Sequence, residues 1–223
     1  MKAESGATLN QACRWGAILM LGIGYAILAH LAVTSTAPGL LDALVAVLPL
    51  LGLAFVMAWR SSQRKVMLIS WLMACAALYG MSTWLVAHSE WVFLLQHAGT
   101  YALLCGAFGR TLQAGRIPMI TTLAGIVHGS LSPALTRYTR SVTWAWALYF
   151  GITAGLSLLL FWLAPIAVWS AFANLLGGPL MVLMFVGEYA VRCYVLPAAD
   201  RAGPLEAIRA YRHESSRRVT RQP

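Results

Sequence analysis

Charge is scarce in this chain. Charged side chains make up 10% of its 223 residues, the acidic ones number seven, and the aspartates are two, Asp42 and Asp200. An ordinary soluble domain carries about 25% charged residues, so this balance, with 60% apolar residues, excludes a soluble fold. Two aspartates cannot furnish an aspartate-rich metal or phosphotransferase site. No histidine is followed five positions later by aspartate, as a His-x4-Asp acyltransferase needs. Neither a Gly-x-Ser-x-Gly elbow nor a His-Glu-x-x-His or P-loop pattern occurs. The four cysteines (Cys13, Cys75, Cys105 and Cys193) are scattered without a CxxC or Cys/His cluster. They read as small packing residues rather than a disulfide or zinc set. No cofactor or metal is expected. Any catalysis would fall to Glu188, His97 or His128 with arginines, a thin inventory that leans against an enzyme and leaves catalytic residues unassigned.

Long apolar runs are present instead. Six segments divide the sequence, and all 16 Lys+Arg fall in alternate gaps. Lys2 and Arg14 precede the first segment; Arg60, Arg64 and Lys65 separate the second from the third. Arg110, Arg116, Arg137 and Arg140 lie between the fourth and fifth, and Arg192 with six further arginines follows the core of the sixth. Basic residues near span ends stay on the cytoplasmic side during insertion. The pattern therefore predicts an all-α polytopic bundle of six transmembrane helices with both termini cytoplasmic. The net charge of +9 needs no nucleic acid to explain it, because topology and anionic lipid account for a basic inner face.

Along the chain, residues 1–14 form a cytoplasmic N-terminus, 15–196 a membrane domain and 197–223 a basic cytoplasmic tail. The first segment, Trp15–Val33, has a basic lead and a Ser35-Thr36-Ala37 sequence like a cleavage site. It is longer than the usual apolar core of a signal peptide, about 7–15 residues, so a retained helix is expected. Helices are expected near Leu40–Trp59, Val66–Ala87, Trp91–Phe108, Val142–Leu163 and Ile166–Val186. Residues 109–141 form a long inner loop whose apolar stretch, Ile117–Val127, is too short to span; it reads as interfacial or re-entrant. Ser132 is an expected N-cap with Pro133 at the first helical position. Gly177-Gly178-Pro179 predicts a kink or unwound stretch in the last helix. Pro204–Glu214 is a candidate amphipathic helix on the inner leaflet, and residues 217–223 read as disordered. Gly151/Gly155 and Ala76/Gly80 have the spacing that permits close helix approach.

Several groups could carry function. Glu188 and Arg192, four apart, make either a structural ion pair or a site at which Glu188 meets a substrate or a cation of the long loop, with Arg137, Tyr138 and Arg140 as partners. Arg110, Arg116, Arg137 and Arg140 bracket the short apolar stretch. Their guanidinium forks suit phosphate and carboxylate, so they make either lipid-facing topology charge or a docking face. His97, next to Gln96, and Asn174 are intramembrane polar candidates, each explicable as a helix-to-helix hydrogen bond.

Four stretches together resemble a family of uncharacterised bacterial inner-membrane proteins. They are Phe108-Gly109-Arg110-Thr111-Leu112, Leu131-Ser132-Pro133 through Arg137-Tyr138-Thr139-Arg140 to Trp144-Ala145-Trp146, Trp169-Ser170-Ala171-Phe172-Ala173-Asn174, and Glu188-Tyr189 with Arg192. The likeness covers the second half of the chain. Members are encoded beside acyl carrier proteins, ketosynthase-like and acyltransferase-like enzymes, in clusters like those for aryl polyene pigments. The resemblance carries no catalytic residue. It implies a bacterial inner membrane as the location, and an accessory membrane protein that recruits acyl-carrier-dependent lipid or polyene assembly to the inner leaflet, with membrane lipids and an acyl carrier protein or acyl-handling enzyme as partners. The alternatives are a small transporter or flippase for a lipid-like product, running past His97, Asn174 and Glu188, and a membrane-embedded transferase.

Overall fold

The computed structural model describes residues 2–129 and 131–197. The expected amphipathic helix at 204–214, the disordered end and most of the basic tail lie outside the described residues. Among the described residues there is no strand. The helices are α1 (Lys2–Thr34), α2 (Leu40–Arg60), α3 (Arg64–Gly80), α4 (Ser82–Ala87), α5 (Ser89–Thr111), α6 (Met119–His128), α7 (Pro133–Leu163), α8 (Ile166–Ser170) and α9 (Gly177–Val195), with a π-helical segment, Ala171–Leu176, between the last two. Five stretches are long and apolar enough to cross a membrane: Cys13–Thr34, Leu40–Arg60, Ser89–Thr111, Pro133–Leu163 and Ile166–Val195. This is an all-helical membrane protein.

The expected third span differs from the rest. It is two helices joined at Met81, with Gly80 before the joint and Ser82 and Thr83 after it. Glycine and hydroxyl residues are weak helix formers. The break is mild, since Met81 N–H still donates to Ala77 O at 3.0 Å and Leu85 N–H to Met81 O at 2.9 Å. At 1.5 Å per residue, α3 alone is about 26 Å long, short of the roughly 30 Å hydrocarbon core.

The chain divides into two compact units. Among the described residues the first comprises 2–97 and 157–178, the second 98–129, 131–156 and 179–197. In the first unit α1 packs on α2, α8 and the π segment, while α2 packs on α3 and α4. Pro49, inside α2, has no N–H for the carbonyl of Val45 one turn back. In hydrocarbon a freed carbonyl needs another donor. Tyr25 Oη donates to Val45 O at 3.4 Å, Gln96 Nε2 donates to the neighbouring Ala46 O, and Trp71 Nε1 donates to Leu51 O at 3.0 Å. Gln96 thus has a structural task. At the polar end of α2, the Arg64 guanidinium lies 3.3 Å from the centre of the Trp59 ring, a cation–π contact beside a span end.

In the second unit Val142, Trp146 and Phe150 of α7 form the buried centre. Tyr101, Leu104, Cys105 and Phe108 of α5, Ile120 of α6, and Met181 and Met184 of α9 pack around it. Gly151 is a close-approach point: a Cβ there would sit 3.2 Å from Cys105 Sγ. Gly155 and Gly80 have open space at that position, so each small-residue pair is used at most at one member. The four cysteines are free, and Cys13 is exposed, which corrects its reading as a packing residue.

Two boundaries depart from the sequence reading. The fifth long helix begins at Pro133 instead of Val142, and what reads as a polar connection is its first turns. Ser132 Oγ accepts from Leu135 N–H at 3.1 Å, as an N-cap does. Thr136, Thr139 and Ser141 return their hydroxyl protons to carbonyls of the same helix, so polarity does not interrupt it. In the last long helix the irregularity is the π segment, Ala171–Leu176, immediately before Gly177-Gly178-Pro179. Pro179 has no N–H to offer Leu175 O, and a wider turn just upstream absorbs the mismatch.

Candidate functional site

The second unit gathers most of the sequence-predicted site residues. At the end of α5, Thr111 Oγ1 donates to Phe108 O at 2.7 Å and accepts from Met119 N–H at 3.0 Å. This one hydroxyl closes the loop between α5 and α6. Gly115, at φ +78, makes the reversal that other residues resist. Arg140 Nη2 donates to Leu112 O at 3.1 Å, tying α7 to the same loop. The short α6 is pinned along α7 by Ile120 N–H donating to Thr143 Oγ1 at 3.3 Å and by the Thr121–Thr139 hydroxyl pair at 2.8 Å. The apolar stretch predicted at 117–127 is therefore a helix held against α7 by threonines.

Around this loop Arg110, Arg116, Arg137 and Arg140 are all exposed. None of them makes an ion pair among the described residues; Arg137 Nε reaches the neutral Pro133 O at 3.4 Å and Arg140 the Leu112 carbonyl. Four positive charges with no carboxylate among them favour an anionic partner.

Glu188 and Arg192 form the predicted pair. Arg192 Nη2 lies 2.8 Å from Oε1 and 2.9 Å from Oε2 of Glu188, with Nε 3.0 Å from Oε1. The carboxylate's side chain is 10% exposed. Of the three loop partners considered for Glu188, the one that meets it is Tyr138, whose Oη lies 2.9 Å from Oε1 and 3.2 Å from the Glu188 carbonyl. Arg140 turns to Leu112 instead. With a guanidinium and a phenol on it, Glu188 is a locked anchor between α7 and α9.

The anchor closes over a feature that residue-by-residue reading missed. Between α7 and α9 runs a groove of about 940 Å³. Its walls are Ala134, Tyr138, Ser141, Ala145 and Tyr149 on one side, and Leu180, Leu183, Met184, Gly187 and Val191 on the other. Arg137 and Glu188 line it too. The wall residues of α7, Ala134, Tyr138, Ser141, Ala145 and Tyr149, recur at intervals of three and four, the spacing of one helix face. That periodicity was available in the sequence, but small and large apolar residues look alike to a hydropathy scan.

The intramembrane candidates sit in the first unit. His97 Nδ1 is 3.0 Å from Ser157 Oγ, which accepts from Trp169 Nε1–H at 3.0 Å. Ser157 and Trp169 are fully buried, and Phe172 meets the His97 ring edge-on at 5.7 Å. Asn174 Nδ2 donates to Ser170 Oγ at 3.1 Å, within its own helical run and not across to a neighbour. Ser170 Oγ also lies 2.9 Å from His30 Nδ1. Sequence reading singled out His97 and Asn174 but missed Ser157, Ser170 and His30, because serine and histidine become informative only when their partners are known. His128 ends α6.

Comparison with protein-family models, with curated proteins and with solved structures finds no match.

Proposed function

We propose that this protein is a six-span inner-membrane accessory protein with both termini in the cytoplasm, which brings acyl-carrier-dependent lipid or polyene assembly to the inner leaflet. The observation that carries this reading is the set of exposed, carboxylate-free arginines, Arg110, Arg116, Arg137 and Arg140, around a loop that Thr111 and Arg140 hold in shape. An acidic carrier protein is the partner such a face would steer. The sixth crossing is α3 with α4, which together cover residues 64–87 and restore the one-sided distribution of Lys and Arg. The four sequence stretches that resemble membrane proteins of acyl-assembly clusters support the same context.

Transport past His97 and Asn174 draws less support, because these side chains are engaged with serines around the fully buried Trp169. A transferase draws less still, since Glu188 is held by Arg192 and Tyr138.

The test is affinity capture from gently solubilised membranes, with a tag inserted at the Glu90 turn. Wild type should retain an acyl carrier protein or acyl-handling enzyme, and Arg137→Glu/Arg140→Glu should lose it while still inserting. Retention by the charge-reversed protein would reject this docking face.

A further inference from the structure

The groove between α7 and α9 has an apolar length and one charged end. Its walls run from Ala134 to Tyr149 and from Leu180 to Leu196. At 1.5 Å per residue the walls are about 22 Å and about 24 Å long, more than the roughly 15 Å of one leaflet's hydrocarbon. The two helices run antiparallel, as the Tyr138–Glu188 hydrogen bond and the Trp146–Phe185 ring contact at 4.6 Å require. The N-terminal turns of α7 and the C-terminal turns of α9 therefore share the polar end.

Charge is uneven at that end. Glu188 is matched by Arg192, which leaves the exposed Arg137 as an uncompensated positive charge on the groove wall, one turn from Ser141. The rest of the lining is alanine, leucine, methionine, valine, glycine and tyrosine. Gly187 opens the wall further, for a Cβ added there meets nothing within 4 Å.

We infer that this groove binds a single long-chain carboxylate, its alkyl chain lying between α7 and α9 and its head group on the Arg137 guanidinium. The single uncompensated cation matches a monoanion, and the planar fork suits a carboxylate bidentately. One channel between two helices accommodates one chain. The inference stands on the groove and its charge, and not on the recruitment of any protein partner.

The experiment uses the full chain in detergent micelles and a photoactivatable palmitic acid carrying a diazirine at mid-chain. Crosslinks should map to residues 134–149 and 180–196. Palmitate should compete and hexadecanol should not. Gly187→Trp should abolish the site-specific label by filling the groove, and Ala145→Phe should do so from the opposite wall. Gly187→Ala, which leaves the groove open, should label as wild type and so controls for folding. Arg137→Gln should weaken labelling roughly tenfold, the loss of a charge-assisted contact. Labelling spread evenly over exposed apolar faces and indifferent to Gly187→Trp and Ala145→Phe overturns the site. Equal competition by hexadecanol overturns the head-group assignment. Stronger competition by phosphatidylglycerol than by palmitate overturns the single-chain carboxylate in favour of a phospholipid. Because Gly187→Trp leaves the docking arginines intact, it should still capture the protein partner of the recruitment reading, so the two failures separate cleanly.

Discussion

At the scale of single residues, the pair read from a four-residue spacing is a three-member network. Removing one member differs from removing the pair. Glu188→Ala leaves the Arg192 guanidinium, whose side chain is 22% exposed, without its carboxylate and should destabilise more than Glu188→Leu/Arg192→Leu, which removes both charges. Tyr138→Phe removes the hydroxyl that reaches both Oε1 and the carbonyl of Glu188 and should cost about 0.5–1.5 kcal/mol. Thermal unfolding in detergent, followed by fluorescence, ranks the three, and a double variant less stable than Glu188→Ala would contradict the anchor role. A second residue-scale expectation concerns the glycines. Gly151→Val should destabilise, because its Cβ would press on Cys105 at 3.2 Å, whereas Gly155→Val meets open space. Equal effects in the same melt would show that neither glycine packs as described. Spacing alone could find the Glu188–Arg192 pair, since i and i+4 share a helix face. Tyr138, fifty residues away, enters the sequence reading only as one of three loop candidates with Arg137 and Arg140, because a tyrosine on a polar-looking segment has no periodic partner that would single it out.

At the scale of elements, the apolar runs made most helices legible, and helix ends were legible where a cap chemistry existed. Ser132-Pro133 announced the start of α7. The length of α7 was still misjudged, because hydropathy reports membrane burial and a helix continues wherever its backbone bonds are met. The break at Met81 and the π segment were legible only as glycines, a proline and weak helix formers nearby. Pro49 provides the clearest element-scale test. If Tyr25 stabilises α2 by serving the carbonyl that Pro49 leaves unpaired, Tyr25→Phe should cost about 0.6–1.7 kcal/mol in the native background. In a Pro49→Ala background the restored N–H serves Val45, and the same substitution should cost close to nothing. Additive effects in this double-mutant cycle would deny the coupling.

At the scale of the whole molecule, composition and charge placement decided the class before any site was considered. A tenth of the residues charged and five long apolar helices leave a membrane protein. The groove was not legible, because it depends on which faces of α7 and α9 meet. The proposed docking face is half legible: its arginines stand out in sequence, and the loop closure that groups them depends on Thr111 and Leu112. The proposed topology puts every basic cluster on one side of the membrane, with α3 and α4 completing a sixth crossing. Single cysteines introduced at Gln63, Glu90 and Gln113, in a background where the four native cysteines are replaced, report this through an impermeant maleimide applied to right-side-out cells. The account predicts labelling at Glu90→Cys, and at Gln63→Cys and Gln113→Cys only after permeabilisation. Labelling of Gln63→Cys or Gln113→Cys in intact cells, or protection of Glu90→Cys together with Gln63→Cys, would contradict it and would take the arginine face away from the cytoplasm or the sixth span away from the fold.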